Sequence, residues 1–149
     1  MTTTDTYREI QLAELLAKEG GLFERARAAT NGPPVKLNVP LFEALEVAGI
    51  LHVLGMFSPE EQLVGYAVFT VGEHPMHGDR NCCVCMSVFV DEGHRQLSGS
   101  MELLKRVEQR GKEVGADLML WTVRSGSPLE KVLPRRGAVP VDTVFGKDL

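Results

Sequence analysis

Histidines, an aspartate and cysteines are concentrated between residues 74 and 85. Side chains of these types at this spacing could transfer protons or bind a metal ion. A histidine titrates near neutral pH, so His74 or His77 could take a proton from a reacting group, directly or through water. Asp79 is close enough in sequence to orient His77 or to raise its pKa. We therefore predict a polar loop over residues 72–81 that carries a general base, with His77 preferred to His74. The alternative is a pair of solvated loop histidines.

The three cysteines, Cys82, Cys83 and Cys85, follow these histidines and together offer the usual ligands of zinc. In a strand, however, Cys83 and Cys85 face one side and Cys82 faces the other. Buried cysteines commonly behave as small apolar residues, so we predict that they pack in the core and that the chain holds no metal. A metal-binding protein is the lower-ranked alternative. Three cysteines, two of them adjacent, do not make a disulfide framework, which favours a reducing cytoplasm.

A change of hydrophobic period marks a junction between a strand and a helix. The apolar run 82–90 predicts a strand, residues 91–100 a polar turn, and apolar residues at helical spacing predict a helix over 97–115. The first amides of such a helix have no partner within it, and the positive end of its dipole points at the turn. The junction is therefore a predicted phosphate-binding site.

The rest of the pattern predicts the elements that position this junction. Gly20 and Gly21 break one helical run in two, and the next helix begins at Pro40 and ends at Gly49. Strands are predicted over Thr6–Ile10, 50–57, 63–71, 82–90, 118–123 and 139–145, and a short helix over 128–136. This order predicts an α/β (α+β) fold, a mixed sheet with helices packed on it.

Composition narrows the class of protein further. The 149 residues predict one domain, residues 1–149, and a net charge of −4 disfavours a nucleic-acid partner. No apolar run reaches the roughly 20 residues that span a bilayer, so no membrane partner is expected. The first ten residues carry neither a signal core nor an Arg-rich transit pattern, which also favours the cytoplasm.

Four segments resemble sequence motifs of one known family. Residues 63–66 (Leu-Val-Gly-Tyr), 90–95 (Val-Asp-Glu-Gly-His-Arg), 101–115 and 129–145 resemble, in order, parts of the GNAT N-acetyltransferase superfamily. They match its third strand, the end of its fourth strand, the helix that follows, and its closing helix and last strand. The resemblance implies a GNAT-like mixed, mostly antiparallel sheet with helices on both faces.

The resemblance also implies acetyl-CoA as co-substrate, lying against the fourth strand with its pyrophosphate on the amides of the following loop. Without a gap that loop is residues 95–100, and a one-residue slip makes it residues 96–101. A backbone amide near residues 86–88 could hold the developing oxyanion. The implied cofactor-binding residues are Ser87, Val88, Val90, Arg95, Gln96, Leu97, Ser98, Gly99 and Ser100.

The sequence departs from the family where its usual acid and base stand. The fourth strand, residues 82–90, has no carboxylate, and Leu133 stands near the place of the tyrosine of the last helix. We therefore place the predicted base at His77 or His74. The implied function is transfer of an acetyl group from acetyl-CoA to a primary amine of a small molecule or protein. The alternative is a catalytically degenerate GNAT scaffold that binds a protein partner. Either function is compatible with a homodimer.

Overall fold

Within the described residues, five strands form one sheet in the order β1-β2-β3-β4-β5. The first four strands are antiparallel to their neighbours, and β5 runs parallel to β4. The computed structural model describes residues 4–30, 32–33, 36–95 and 99–149. The strands are β1 (Thr6–Ile10), β2 (Leu51–Phe57), β3 (Leu63–His74), β4 (His77–Val90) and β5 (Leu118–Trp121).

Helices cover both faces of this sheet. One face packs against α1 (Leu12–Lys18), α2 (Leu22–Thr30) and α3 (Val39–Val47), and the other against α4 (Gly99–Glu113). A short helix, α5 (Pro128–Val132), runs into a 3₁₀ turn at Leu133–Arg136. The mostly antiparallel sheet with helices on both faces confirms the predicted fold class. No helix among the described residues is long and apolar enough to cross a membrane.

Local chemistry explains where the helices on the first face begin and end. Gly20 and Gly21 have φ of +50° and +85°, a left-handed conformation that separates α1 from α2. The Asn38 side chain accepts a hydrogen bond from the Leu41 amide at 3.3 Å, which caps α3 beside Pro40. These breaks let three short helices lie across one face of the sheet.

The predicted loop over residues 72–81 is wrong, because most of that segment belongs to a long β3–β4 hairpin. Strand β3 continues to His74 and β4 begins at His77, so that only two residues, 75 and 76, make the turn. The hairpin extends beyond the core, where polar residues remain exposed while the two backbones still pair. Backbone pairing does not require apolar side chains, so polarity alone was a poor guide here.

The predicted strand over residues 139–145 is also wrong, since residues 138–149 have no regular secondary structure. Its apolar side chains are largely exposed; Val144 and Phe145 are 92% and 90% exposed. The pattern of β-branched residues gives local strand propensity, but a strand forms only where a partner pairs with it. In the part of the chain that the structure describes, this segment has no such partner.

Candidate active site

A β-bulge in β4 opens one edge of the sheet. Val68 pairs with Ser87 and Phe69 with Cys85, so Met86 is the extra residue on β4. The pairing of β4 with β5 stops at the same place, at Cys85 opposite Trp121. Among the described residues, none of β5 pairs with residues 86–90. The bulge therefore leaves one edge of the end of β4 free to bind another extended group.

The bulge also turns two neighbouring side chains to the same face. In a regular strand Met86 and Ser87 would point to opposite faces, yet both line one cavity on the side of α1, α2 and α3. Val88 lies on the opposite side, packed against the cluster that includes α4. Val90 is 5% exposed in that same cluster. The end of β4 thus presents side chains to both faces and a backbone edge between them.

The start of α4 is held tightly beside this end of the sheet. A Cβ atom on Gly99 would lie 2.3 Å from the carbonyl oxygen of His94 and 3.0 Å from Met56 Cε, so only glycine fits. Tyr7 donates a hydrogen bond from its hydroxyl to the Gly99 carbonyl oxygen at 3.2 Å. The first amides of this 15-residue helix, including those of Gly99 and Ser100, have no partner within it. The close packing at Gly99 fixes the position of these amides and of the positive end of the α4 dipole.

The predicted loop residue Arg95 lies between these two features. Its Nε donates to the Val90 carbonyl oxygen at 2.7 Å, and its guanidinium lies over the Phe89 ring at 5.2 Å from the centroid. The side chain is exposed, so it can present its remaining donors to an anion. Three predicted contacts, Gln96, Leu97 and Ser98, lie outside the described residues.

The cavity on the face of the sheet covered by α1, α2 and α3 has a volume of about 170 Å³. Ser87 donates from its hydroxyl to the Tyr66 hydroxyl oxygen at 3.3 Å, and both residues line the cavity. Burial raises the pKa of Tyr66 above its usual range, so this phenol keeps its proton at neutral pH. The other lining residues are apolar: Leu12, Leu15, Phe23, Leu37, Phe42, Val68 and Met86.

The predicted base residues lie far from this end of the sheet. His74 and His77 pair across the tip of the β3–β4 hairpin, with ring centroids 5.1 Å apart, and His74 Nδ1 accepts from the Met76 amide. His77 is ten residues from Ser87 along β4, roughly 30 Å at about 3.3 Å per residue. The premise that a loop carries them over the end of β4 is therefore wrong, and their catalytic role has no support from geometry.

The cysteines pack in the core as predicted. Cys82, Cys83 and Cys85 are free thiols, each 1% exposed. Burial raises the pKa of Cys83 to about 12 and raises that of Cys85 further, so neither forms a nucleophilic thiolate at neutral pH. Across the described ranges, no group of histidines, cysteines and carboxylates could hold a metal ion.

Sequence reasoning missed three polar features of this region. Arg25 forms a bidentate pair with Asp91 at 3.0 and 2.9 Å, which ties α2 to the end of β4. His94 and Asp5 share a hydrogen bond at 3.0 Å, and the Ser127 hydroxyl is buried without a hydrogen-bond partner among the described residues. The first two join residues 66 and 89 positions apart, and no local pattern signals such pairs. Tyr66, by contrast, had a local sequence signal, because it belongs to the Leu-Val-Gly-Tyr motif at residues 63–66 that carries the family resemblance.

Comparison with known proteins gives the family context of this geometry. The model of the family described as "Acetyltransferase (GNAT) family" matches residues 22–137. No curated protein matches the chain significantly in sequence.

Solved structures similar to the chain include three acetyltransferases. A ribosomal-protein-alanine N-acetyltransferase from Brucella melitensis has 14% identity and a TM-score of 0.72, covering 99% of this chain and 100% of that one. An aminoglycoside acetyltransferase from an uncultured soil sample has 12% identity and a TM-score of 0.73, covering 99% of each. Glucosamine-6-phosphate N-acetyltransferase from Arabidopsis thaliana has 11% identity and a TM-score of 0.71, covering 98% and 99%. At these identities the likeness concerns the fold.

Proposed function

Because the chain belongs to the GNAT acetyltransferase family, we propose that it transfers the acetyl group of acetyl-CoA to a primary amine. The observation that carries this proposal is the edge of β4 beyond the bulge, which no described strand pairs with and which lies directly before the tightly held start of α4. The edge offers backbone groups to an extended chain such as pantetheine. The helix start offers amides to a pyrophosphate.

The described residues fit acetyl-CoA as a substrate. We assign the pyrophosphate to the first amides of α4, at Gly99 and Ser100, with Arg95 adding a positive charge. Val88, opposite Ala67 in a non-hydrogen-bonded pair, directs its backbone groups to the free edge, where the thioester would be held. The buried hydroxyl of Ser127, on the segment that follows β5, lacks a partner within the described chain and is a further candidate donor.

The reaction requires few protein groups. The amine nitrogen forms a bond to the acetyl carbon, an amide N–H near the bulge holds the oxyanion, and the carbon–sulfur bond then breaks. The amine loses one proton and the departing thiolate gains one, which leaves free CoA. We assign the proton transfer to water and not to His74 or His77, because the hairpin holds both histidines roughly 30 Å away. An amine that arrives neutral needs no protein base for its attack.

The proposal is tested by turnover. The protein is incubated with acetyl-CoA and with benzylamine, ethanolamine, spermidine or an alanine-initiated peptide, and free CoA and acetylated product are quantified together. Equal amounts of both in at least one reaction support the proposal. Acetyl-CoA binding without product from any amine would favour the catalytically degenerate scaffold, for which the absence of a carboxylate on the end of β4 is the supporting observation. If the protein showed no acetyl-CoA binding and formed no product, acetyl-CoA use would be overturned altogether.

A further inference from the structure

The cavity beneath α1, α2 and α3 defines the chemical class of the acceptor. We propose that it binds a single ring or branched alkyl group of the acceptor, so that the substrate is a small primary amine with an apolar body. This inference rests on the proposed acetyl transfer and specifies its second substrate.

The size of the cavity sets the size of the group. Its volume is about 170 Å³. Apolar cavities of about 150 Å³ bind benzene in other proteins, so one six-membered ring or a branched alkyl chain of similar volume fits here. Two fused rings would require the lining to move. Phe23 and Phe42 provide aromatic surface at the helical side of the cavity.

The chemistry of the lining excludes highly charged acceptors. Among the described residues, the lining has seven apolar side chains and the two hydroxyls of Tyr66 and Ser87, and no charged side chain. A phosphate or a second ammonium group placed there would lose its hydration without gaining a counter-charge. The three similar structures act on a protein alanine, an aminoglycoside and a sugar phosphate, so this fold does not dictate one acceptor. The side chains of this chain must dictate it.

The position of the cavity connects the acceptor to the reacting end of acetyl-CoA. The cavity lies on the face of α1, α2 and α3, and the helix start proposed to bind pyrophosphate belongs to α4 on the other face. The unpaired edge of β4 lies between them, and Met86 and Ser87 belong to both the bulge and the cavity wall. An apolar group in the cavity therefore directs its amine towards the two hydroxyls and the free edge.

This environment also accounts for a site without a carboxylate or histidine on the end of β4. Burial among apolar side chains disfavours the charged form of an amine and lowers its pKa. The Tyr66 hydroxyl accepts the hydrogen bond from Ser87 and retains its own proton. It can donate a hydrogen bond to the lone pair of a neutral amine and so position the nitrogen, and this hydrogen bond breaks before the lone pair attacks the acetyl carbon.

The experiment compares kcat/KM at saturating acetyl-CoA for phenethylamine, isoamylamine, ethanolamine and spermidine. Burial of a ring or branched alkyl group predicts values about 10- to 100-fold higher for the two apolar amines than for ethanolamine or spermidine. Equal or higher values for the polar amines would overturn the inference while leaving acetyl transfer intact.

Two substitutions in the lining test the cavity directly. Val68→Phe fills it and is expected to raise KM for phenethylamine about tenfold or more, with little effect on ethylamine. Phe42→Ala enlarges the cavity and is expected to shift the preference towards naphthylmethylamine. Because this variant removes atoms from the lining, its result does not require the fold to tolerate overpacking. Leu45→Phe is the matched control, because Leu45 packs against the same cluster but does not line the cavity. An unchanged preference in both lining variants would contradict the assignment.

A binding measurement keeps the inference testable without turnover. Phenethylamine is titrated into the protein, and backbone amide NMR signals of Val68 and Met86 are followed, with ethanolamine as the control ligand. Saturable shifts with phenethylamine alone support the cavity as its site even if no product forms. Absence of shifts at high concentration, in the presence and absence of acetyl-CoA, would exclude it.

Discussion

The start of α4 offers the sharpest test of the proposed acetyl-CoA site. Gly99→Ala adds one carbon, and that Cβ atom would lie 2.3 Å from the His94 carbonyl oxygen. Real Cβ atoms essentially never approach other atoms closer than 3.0 Å, so the helix start must move by about 0.7 Å. The neighbouring atom is backbone and cannot rotate away. The amides proposed to bind pyrophosphate must move with the helix start.

The magnitudes follow from this displacement. Overpacking of this kind costs about 1–3 kcal/mol of unfolding free energy, or about 2 to 12 °C in Tm for a chain of this size. A hydrogen bond to a charged group contributes about 1.5–3 kcal/mol, so loss of one pyrophosphate contact weakens acetyl-CoA binding about 10- to 100-fold. Two assays are needed, thermal unfolding of the free protein and calorimetric titration with acetyl-CoA.

Gly93→Ala is the matched control for this variant. Gly93 lies in the same connection between β4 and α4, but a Cβ atom there would meet nothing within 4 Å. We expect wild-type Tm and wild-type affinity for acetyl-CoA. Wild-type affinity in Gly99→Ala, or an equal loss in both variants, would refute the role assigned to the helix start.

Three further predictions follow from the placement of particular residues. The double variant His74→Ala, His77→Ala should keep turnover within about twofold, since both histidines lie at the hairpin tip; a loss of a hundredfold or more, typical of a lost general base, would restore them to the mechanism. Burial raises the pKa of Cys83 from 9.0 to about 12, so its contribution to stability is complete below pH 9 and is lost as pH rises towards 12, by up to about 1.4 kcal/mol per pH unit. Chemical denaturation of wild type and Cys83→Ala across this range should show the difference in slope, and parallel curves would contradict it. Deletion of residues 139–149 should change unfolding free energy by less than about 0.5 kcal/mol, because their side chains are exposed; a larger loss by denaturant titration would show that they pair in solution.

Most of the elements were predictable because local chemistry determines them. Strand β1 was predicted with its observed bounds, and the break at Gly20 and Gly21 lies where two left-handed glycines end α1. The strand-to-helix junction before α4 was visible as a change of hydrophobic period. In these segments the local pattern and the tertiary packing favour the same structure.

The errors lie where distant partners decide the outcome. Residues 72–81 look like a loop by polarity, but the opposite strand pairs with them. Residues 139–145 look like a strand by propensity, but no strand of the described sheet accepts them. The bulge at Met86 and the cavity depend on the register between β3 and β4, which has no local sequence signal. The sequence therefore predicted the scaffold and the strand-to-helix junction before α4, but not the cavity beside the bulge.

Calorimetric titration of the protein with acetyl-CoA tests the central claim most directly. Our account predicts saturable binding of one acetyl-CoA per chain. The same binding stabilises the fold by about 2.7 kcal/mol when the ligand reaches a hundred times its Kd, or about 5 to 11 °C in Tm. No heat of binding and no rise in Tm at millimolar acetyl-CoA would contradict the claim that the free edge of β4 and the start of α4 form an acetyl-CoA site.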